Sequence, residues 1–236
     1  MRTWGLGTGG WGVSKITLQG TTMLLLLWHL ASPAASRADV LSGTIVTRVR
    51  PGATAAPAVV YAELLSGSTP ARAAGPFAMT QRNKTFTPRV LGVPVGAVVQ
   101  FPNEDGLFHN VFSLSPGQAF DLGLYRGGAS KSRTFATAGV IRVFCNIHPQ
   151  MTALVVVAPT PWVVNAGADG AFRLDLPAGR YRLTTLSERA AAVSIEVTVS
   201  GATTAPSFAL DESAFVAAPH ANKFGKPYSE AAYKQP

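Results

Sequence analysis

Short runs of β-type residues, separated by turn residues, recur along this chain and constrain its fold more than any other feature. The clearest run is residues 193–199, where aliphatic and polar residues alternate with the two-residue period of a half-buried antiparallel strand. Turn signals at residues 169–170 and 177–179 separate such runs. No long stretch has the period of an amphipathic helix. The chain is therefore predicted to be all-β, built as one or two sandwiches.

The predicted strands form two groups that meet near Pro159 and Pro161. We predict one domain over residues 39–159 and a smaller β-sandwich segment over residues 160–209. The pattern fades from about Asp211, so residues 210–236 are predicted to be a mobile tail, with an extension that docks on the rest of the protein as the alternative. The predicted strands cover residues 40–46, 58–65, 89–93, 97–101, 108–114, 132–137, 140–144, 152–158, 162–165, 171–176, 180–185 and 193–199.

The first 38 residues have the composition of an export signal. Arg2 and Lys15 are basic, no acidic residue precedes Asp39, and an apolar core at residues 23–31 is followed by small residues. A membrane anchor is the alternative, but this apolar run is too short to span a bilayer. We therefore predict a cleaved signal peptide over residues 1–38, a periplasmic or secreted protein, and no stable membrane span.

The charge of the chain favours some partners over others. Three of the 20 basic residues lie in the first 38 residues and none of the 12 acidic ones does, so cleavage would leave a net charge of about +5. A moderately basic surface of this kind favours electrostatic docking to an acidic partner or to anionic lipid headgroups. Nucleic acid is not predicted as a partner, because no block of lysine and arginine is present.

The single cysteine, Cys145, lies in the segment Cys145-Asn-Ile-His148-Pro-Gln-Met151 between two apolar β runs. A lone cysteine in an exported protein is a buried inert thiol, an intermolecular disulfide partner or a metal ligand. Here a thiolate, an imidazole and a thioether share one short loop. The two sulfur donors are soft and the imidazole is intermediate, a mixture that suits copper and above all Cu(I).

A second imidazole has to come from elsewhere in the chain. His29 falls in the signal segment and His220 in the tail, whereas His109 begins a predicted strand. A strand beside the cysteine strand would bring His109 to the same end of the sandwich. Zinc is a rival metal, but thioether is a poor zinc ligand. A catalytic Cys145–His148 pair is another rival, but no third orienting group is evident.

Two segments together resemble the blue-copper cupredoxins, with plastocyanin and amicyanin as the nearest members. They are Phe101-Pro-Asn-Glu-Asp-Gly-Leu-Phe-His-Asn-Val-Phe112 and Val143-Phe-Cys-Asn-Ile-His-Pro-Gln-Met151. The spacing Cys-x-x-His-x-x-Met is similar to amicyanin's short ligand loop. The resemblance covers roughly residues 77–158 and implies a Greek-key β-sandwich. It also implies one copper ion with His109, Cys145 and His148 as equatorial ligands and Met151 as axial ligand.

The resemblance further implies roles for residues around the metal. The side chain of Asn110 would tie the two ligand-bearing strands together and help to position the cysteine loop. His148 would be the exit for electrons, with a redox protein docking on apolar neighbours such as Leu107 and Pro149. Exposed apolar residues are common on any surface, so this docking patch rests on the resemblance alone.

A second resemblance concerns residues 160–209, which are similar to the carboxypeptidase-regulatory-like, or transthyretin-like, β-sandwich. It is carried by Asp169-Gly-Ala-Phe-Arg-Leu-Asp-Leu-Pro-Ala-Gly-Arg-Tyr-Arg-Leu183, a turn and two alternating strands joined by a Pro-x-Gly turn. Residues 40–46 would open the same domain, with the copper unit inserted, or form the first cupredoxin strand. A scaffold or a partner-binding surface is the default function for this segment.

The sequence therefore predicts an exported type 1 copper protein that carries single electrons between redox partners and is not an enzyme. The first alternative is a protein that stores, delivers or senses copper without useful electron transfer. The second is a structural or recognition module with a vestigial metal site.

Overall fold

The computed structural model describes residues 9–10, 12, 38–67, 69 and 75–228, and all regular elements in these ranges are β-strands. The all-β sandwich prediction is confirmed. Most of the predicted signal segment lies outside the described residues. The strands are β1 (Asp39–Arg48), β2 (Ala58–Leu64), β3 (Phe77–Ala78), β4 (Thr80–Arg82), β5 (Thr85–Thr87), β6 (Val90–Pro94), β7 (Ala97–Pro102), β8 (His109–Ser113), β9 (Phe120–Tyr125), β10 (Ser130–Phe135), β11 (Gly139–Phe144), β12 (Thr152–Ala158), β13 (Val163–Asn165), β14 (Ala171–Leu176), β15 (Gly179–Ser187), β16 (Val193–Val199), β17 (Thr203–Thr204) and β18 (Phe208–Asp211).

Strands β3 to β12 form the first sandwich. One sheet has the order β6-β12-β11-β8-β9, the other has the order β10-β7-β3, and β4 and β5 make a separate hairpin. Strand β7 alternates buried and exposed residues, as expected for a strand with one face on a core. Phe101, Val143, Cys145 and Met151 all belong to the buried core of this sandwich.

The second sandwich contains two four-stranded sheets. One has the order β13-β2-β15-β16, and the other joins β14, β1, β17 and β18. Strand β14 alternates exposed and buried residues from Ala171 to Leu176, so its buried side faces the core. That core includes Leu41, Trp162, Phe172 and Tyr181.

The strand pairing differs from the predicted domain boundary at residue 39. Strand β1 pairs with β14 antiparallel, from Asp39 opposite Leu176 to Thr44 opposite Ala171, and β2 pairs with β13 and β15. Residues 39–64 therefore belong to the second sandwich, not to the domain predicted over residues 39–159. The first sandwich is inserted between β2 and β13. The alternation of residues could not predict this assignment, because it identifies a strand but not the strand with which it pairs.

The two sandwiches share a small apolar contact between β2 and β15 on one side and β6 and β12 on the other. Strand β6 is buried along its whole length because both of its faces are covered. The side-chain amide of Asn165 donates to the carbonyl of Val90 at 2.6 Å and accepts from the amide of Gly92 at 2.9 Å. These bonds fix the first sandwich against β13.

The chain beyond residue 210 pairs with β1 and packs on both sandwiches. Strand β18 pairs parallel with β1, with Phe208 opposite Ile45 and Asp211 opposite Arg48. Glu212 and Asn222 are then buried, and the chain continues across the first sandwich as far as Tyr228. Over residues 210–228 the predicted tail is therefore attached to the rest of the protein by strand pairing and by hydrogen bonds, as the docking alternative requires, and its mobility stays a prediction. Residues 229–236 lie outside the described ranges.

Within the described ranges, no helix is long and apolar enough to cross a membrane.

Candidate metal centre

The candidate ligands meet at one end of the first sandwich. Strands β11 and β12 form an antiparallel hairpin, and the loop that connects them is the ligand loop, residues 145–151. Strand β8 lies beside β11 and runs in the opposite direction, with Phe112 opposite Phe144. The beginning of β8 therefore lies near the end of β11, which brings His109 to Cys145.

Three ligand atoms converge there. Nδ1 of His109 lies 3.1 Å from Nδ1 of His148, and Sγ of Cys145 lies 3.9 Å and 3.7 Å from these two nitrogens. His109 and Cys145 are fully buried and His148 is 9% exposed. The three residues form a buried cluster capable of holding a metal ion.

The dimensions of this triangle fit a metal ion. A metal about 2.0 Å from nitrogen and about 2.3 Å from sulfur, at trigonal or tetrahedral angles, separates the two donors by roughly 3.5–3.8 Å. Of the observed sulfur–nitrogen distances, 3.7 Å falls within this range and 3.9 Å exceeds it by 0.1 Å. One thiolate, two imidazoles and the thioether of Met151, the last residue of the ligand loop, are donors that suit copper. The residues present therefore fit the copper ion that the sequence predicts.

The backbone also prepares the sulfur of Cys145. Burial raises the pKa of the Cys145 thiol, although hydrogen bonds from the backbone amides of Asn110, Ile147 and His148 to the sulfur act in the opposite direction. These amides point positive dipoles at the place where a thiolate would carry its charge. The metal-free protein thus keeps the thiol protonated, while the site already offers donors to the thiolate.

His148 is held in its neutral form. Burial lowers the pKa of His148 to about 4, and the positive charges of His109, when protonated, and Lys84 act in the same direction. A neutral imidazole is the form that binds a metal ion. At neutral pH, His148 therefore has no proton to lose before it binds.

Asp105 orients the other imidazole. Nε2 of His109 lies 2.7 Å from Oδ2 of Asp105, and because a carboxylate only accepts, this nitrogen carries the proton. The opposite nitrogen, Nδ1, then presents a lone pair to the cluster. A carboxylate on the far side of a ligand histidine fixes the tautomer and the ring orientation.

The Asp105 carboxylate is itself held in place by the β4–β5 hairpin. It accepts hydrogen bonds from the backbone amides of Asn83 at 2.5 Å and Lys84 at 2.9 Å. Burial raises the pKa of Asp105, but these bonds and the contact with His109 outweigh burial and hold the pKa below its ordinary value. Asp105 therefore stays ionised beside His109 at neutral pH.

Met151 closes the ligand loop. Its amide donates to the carbonyl of His148 at 2.9 Å, and its carbonyl accepts from the amide of Cys145 at 3.1 Å. Its side chain is fully buried in the same core as Cys145. The hairpin thus ties the first and last residues of the loop together.

Asn110 acts differently from the sequence-based expectation. Its backbone amide, not its side chain, contacts the sulfur of Cys145. The side-chain amide donates instead to Oδ1 of Asp121 on β9 at 2.6 Å. Its Oδ1 is buried without a hydrogen-bond partner among the described residues. The side chain therefore joins β8 to β9 and does not reach the cysteine loop.

Sequence reasoning missed two groups of residues around the site. The first is Asp105, which the acid-rich turn before His109 could have suggested. The second is the segment after β18, which packs on the outside of the ligand loop through His220, Lys223 and Tyr228. The aromatic residues near the end of the chain were its only sequence signal.

No family model matches this chain, and no curated protein matches it. Solved structures with similarity to it include cupredoxins and a copper-containing nitrite reductase. The purple cupredoxin from Nitrosopumilus maritimus is 24% identical, and the match covers 35% of this chain and 99% of that one, with a TM-score of 0.32. The P52G mutant of amicyanin, in its reduced Cu(I) form, is 27% identical over 42% of this chain and 99% of that one, with a TM-score of 0.34.

The copper-containing nitrite reductase from Thermus scotoductus SA-01 is 24% identical, over 41% of this chain and 25% of that one, with a TM-score of 0.35. All three matches cover less than half of this chain, and their TM-scores are low. The assignment of the metal centre therefore rests on the geometry of His109, Cys145 and His148.

Proposed function

We propose that this protein is an exported copper protein that carries single electrons. It holds one copper ion through His109, Cys145, His148 and Met151. The observation that carries this proposal is the buried triangle of two Nδ1 atoms and one Sγ atom, with sides of 3.1, 3.7 and 3.9 Å. When bound, copper supplies a one-electron couple between Cu(I) and Cu(II).

The residues of the chain keep this site rigid. The ligand loop is closed by backbone bonds between Cys145, His148 and Met151, and His109 is fixed by Asp105. Donors that stay in place in both oxidation states minimise the rearrangement that accompanies electron transfer. A rigid donor set of this kind supports a carrier function.

Burial of the donors supports a carrier over an enzyme. His109, Cys145 and Met151 are fully buried, and His148 is 9% exposed. A catalytic metal keeps an open position for substrate, which such burial disfavours. Electron transfer to or from the metal does not need such an open position. We propose that they leave through the ring of His148 to a redox protein that docks near Leu107 and Pro149.

The visible spectrum of the purified protein tests this proposal. Addition of Cu(II) should produce an intense thiolate-to-copper band, and a reductant should bleach it reversibly. Cys145→Ser should abolish the band because the thiolate is lost. The matched control is Ser113→Ala, a small buried side chain on β8 that is not a ligand, and it should keep the colour.

Two outcomes would contradict the proposal. A band that persists in Cys145→Ser would disprove the ligand assignment. A coloured protein with very slow electron self-exchange would instead indicate copper storage or delivery. Export is tested separately by expressing the full chain and determining the N-terminus of the protein in the periplasm or the medium, where cleavage near residue 38 is expected.

A further inference from the structure

The segment after β18, residues 212–228, crosses from the second sandwich to the ligand loop, and we call it the strap. Glu212 lies at its start and Tyr228 is its last described residue. The function proposed above does not use the strap. Its first end contacts the second sandwich, and its far end contacts the ligand loop.

The first end of the strap is fixed to the second sandwich. The carboxylate of Glu212 is buried, accepts from the hydroxyl of Ser187 at 2.5 Å and accepts from the amide of Ala56 at 3.0 Å. The carbonyl of Phe215 accepts from the guanidinium of Arg50, also at 2.5 Å. A buried carboxylate with several donors is costly to remove, so this end is a firm attachment.

The far end of the strap binds the ligand loop at three points. The hydroxyl of Tyr228 donates to the carbonyl of Cys145 at 2.8 Å, and the amide of Lys223 donates to the side-chain carbonyl of Asn146 at 3.0 Å. Nε2 of His220 lies 2.7 Å from the carbonyl of Pro149, which can only accept. One of these bonds falls on a metal ligand and the other two fall on its loop.

Ring contacts strengthen this attachment. The imidazole of His220 stacks on Phe144 with 4.2 Å between ring centroids and an angle of 19° between planes. Tyr228 packs edge-on against the same imidazole at 5.1 Å. Phe144 directly precedes Cys145 in the chain. The rings therefore hold the end of β11 at the point where the ligand loop begins.

The strap also reaches the side of the site that carries His109. The ammonium of Lys223 lies 2.9 Å from Oδ2 of Asp121, whose other oxygen accepts from the side chain of Asn110. Asn110 follows His109 and gives its backbone amide to the sulfur of Cys145. The ligand loop thus contacts the strap directly, and β8 is linked to the same strap through Asp121 on β9.

We propose that the strap positions the metal ligands and that the second sandwich serves as its attachment point. His220, Lys223 and Tyr228 are positioning residues, which act on the metal through the backbone of the ligand loop. This gives the second sandwich a role in the metal site, which it contacts through the strap. The inference deepens the proposed function and uses its copper site for one arm of the test.

The first arm of the test needs no metal. Tyr228→Phe removes the hydroxyl and keeps the ring, so hydrogen exchange of the ligand-loop amides in the metal-free full-length protein should accelerate roughly two- to tenfold. The matched control is Tyr181→Phe, which removes a tyrosine-to-carbonyl bond of the same length, 2.8 Å, in the second sandwich. It should leave exchange in the ligand loop unchanged.

The second arm uses the copper-loaded protein and a distant variant. Glu212→Gln weakens the attachment on the second sandwich without touching the ligand loop, and it should shift the thiolate-to-copper band and the reduction potential in the same direction as Tyr228→Phe. A merely structural tail would lower the unfolding midpoint and leave both quantities unchanged. His220→Phe, which keeps a stacking ring, provides a third variant if either of the others fails to fold.

The two arms separate this inference from the proposed function. Unchanged loop exchange in folded Tyr228→Phe and Glu212→Gln would overturn the positioning role, whatever the metal. If loop exchange is faster in the two variants but the wild-type protein binds no copper, the positioning role of the strap is supported and the copper carrier is disproved. A changed band without changed exchange in either variant would also overturn the inference, because the effect would not pass through the loop.

Discussion

The Nε2–H group of His109 donates a 2.7 Å hydrogen bond to Oδ2 of Asp105, and this bond turns the opposite nitrogen of the ring toward Cys145 and His148. The same carboxylate accepts two backbone amides of the β4–β5 hairpin. Asp105 thus connects a candidate metal ligand, His109, to the β4–β5 hairpin, which carries none of the candidate ligands.

Replacing Asp105 should weaken the metal site without emptying it. Asp105→Asn keeps the shape but removes the charge and allows the other tautomer of His109, so copper affinity should fall roughly 10- to 100-fold. Competition with a chelator of known affinity measures this. Glu104→Gln is the matched control, since Glu104 pairs with Arg82 and not with a ligand. Equal affinities of Asp105→Asn and wild type would contradict the orienting role.

Copper uptake at pH 7 should release about one proton. The pKa of the Cys145 thiol is raised, so it is protonated in the metal-free protein, whereas the pKa of His148 is lowered to about 4 and its ring is neutral. Calorimetric titration in two buffers of different protonation enthalpy measures the number of protons released per copper ion. Below about pH 4, His148 is protonated as well and a second proton has to leave. If the number of protons released shows no step near pH 4 as the pH is varied, this reasoning about His148 is wrong.

The two buried methionines of the first sandwich allow a matched test of the axial ligand. Met151→Leu keeps the volume but removes the thioether, and the reduction potential should rise because Cu(II) loses more than Cu(I) from the absence of a donor. Each tenfold change in relative affinity corresponds to about 59 mV for one electron. Met79→Leu makes the same change at a fully buried core position that is not part of the ligand loop. A potential that moves equally in both variants would mean that Met151 is only core packing.

The contact between the two sandwiches should be sensitive to one added methyl group. A Cβ at Gly92 would lie 2.7 Å from the side chain of Val59 and 2.8 Å from that of Val163. Gly92→Ala should therefore destabilise the protein by about 1–3 kcal/mol, measured by urea unfolding. Gly75→Ala is the control, because its Cβ would enter open space. A neutral Gly92→Ala would imply that the two sandwiches separate easily.

The local sequence pattern was sufficient to predict most of the strands. Strands β12 and β16 carry strong apolar or alternating runs, and both were predicted within one residue of their observed ends. Strand β9 was missed because Asp121 and Gly123 interrupt its apolar pattern. Strand β18 was missed because it has four residues and draws its stability from pairing with β1, far away in the chain.

In the candidate metal site, too, some residues could be predicted from the local sequence and others depend on the tertiary structure. Cys145, His148 and Met151 could be predicted to lie close together because they share one hairpin loop, where spacing in sequence approximates spacing in space. His109 was inferred by elimination and by resemblance. Asp105 was missed, because its role depends on the direction of one side chain. Tyr228 was missed because its bond to Cys145 joins residues that are 83 positions apart.

The sequence by itself determined the strands and the chemistry of the donors, because both follow from residue type and from spacing over a few positions. Only the tertiary structure decided that β1 and β2 belong to the second sandwich, and that residues 212–228 pack on the ligand loop. These features depend on which distant surfaces bury each other and on which buried carbonyls find a donor. Such contacts have no periodic signature in a single chain, since their partners lie tens of residues away.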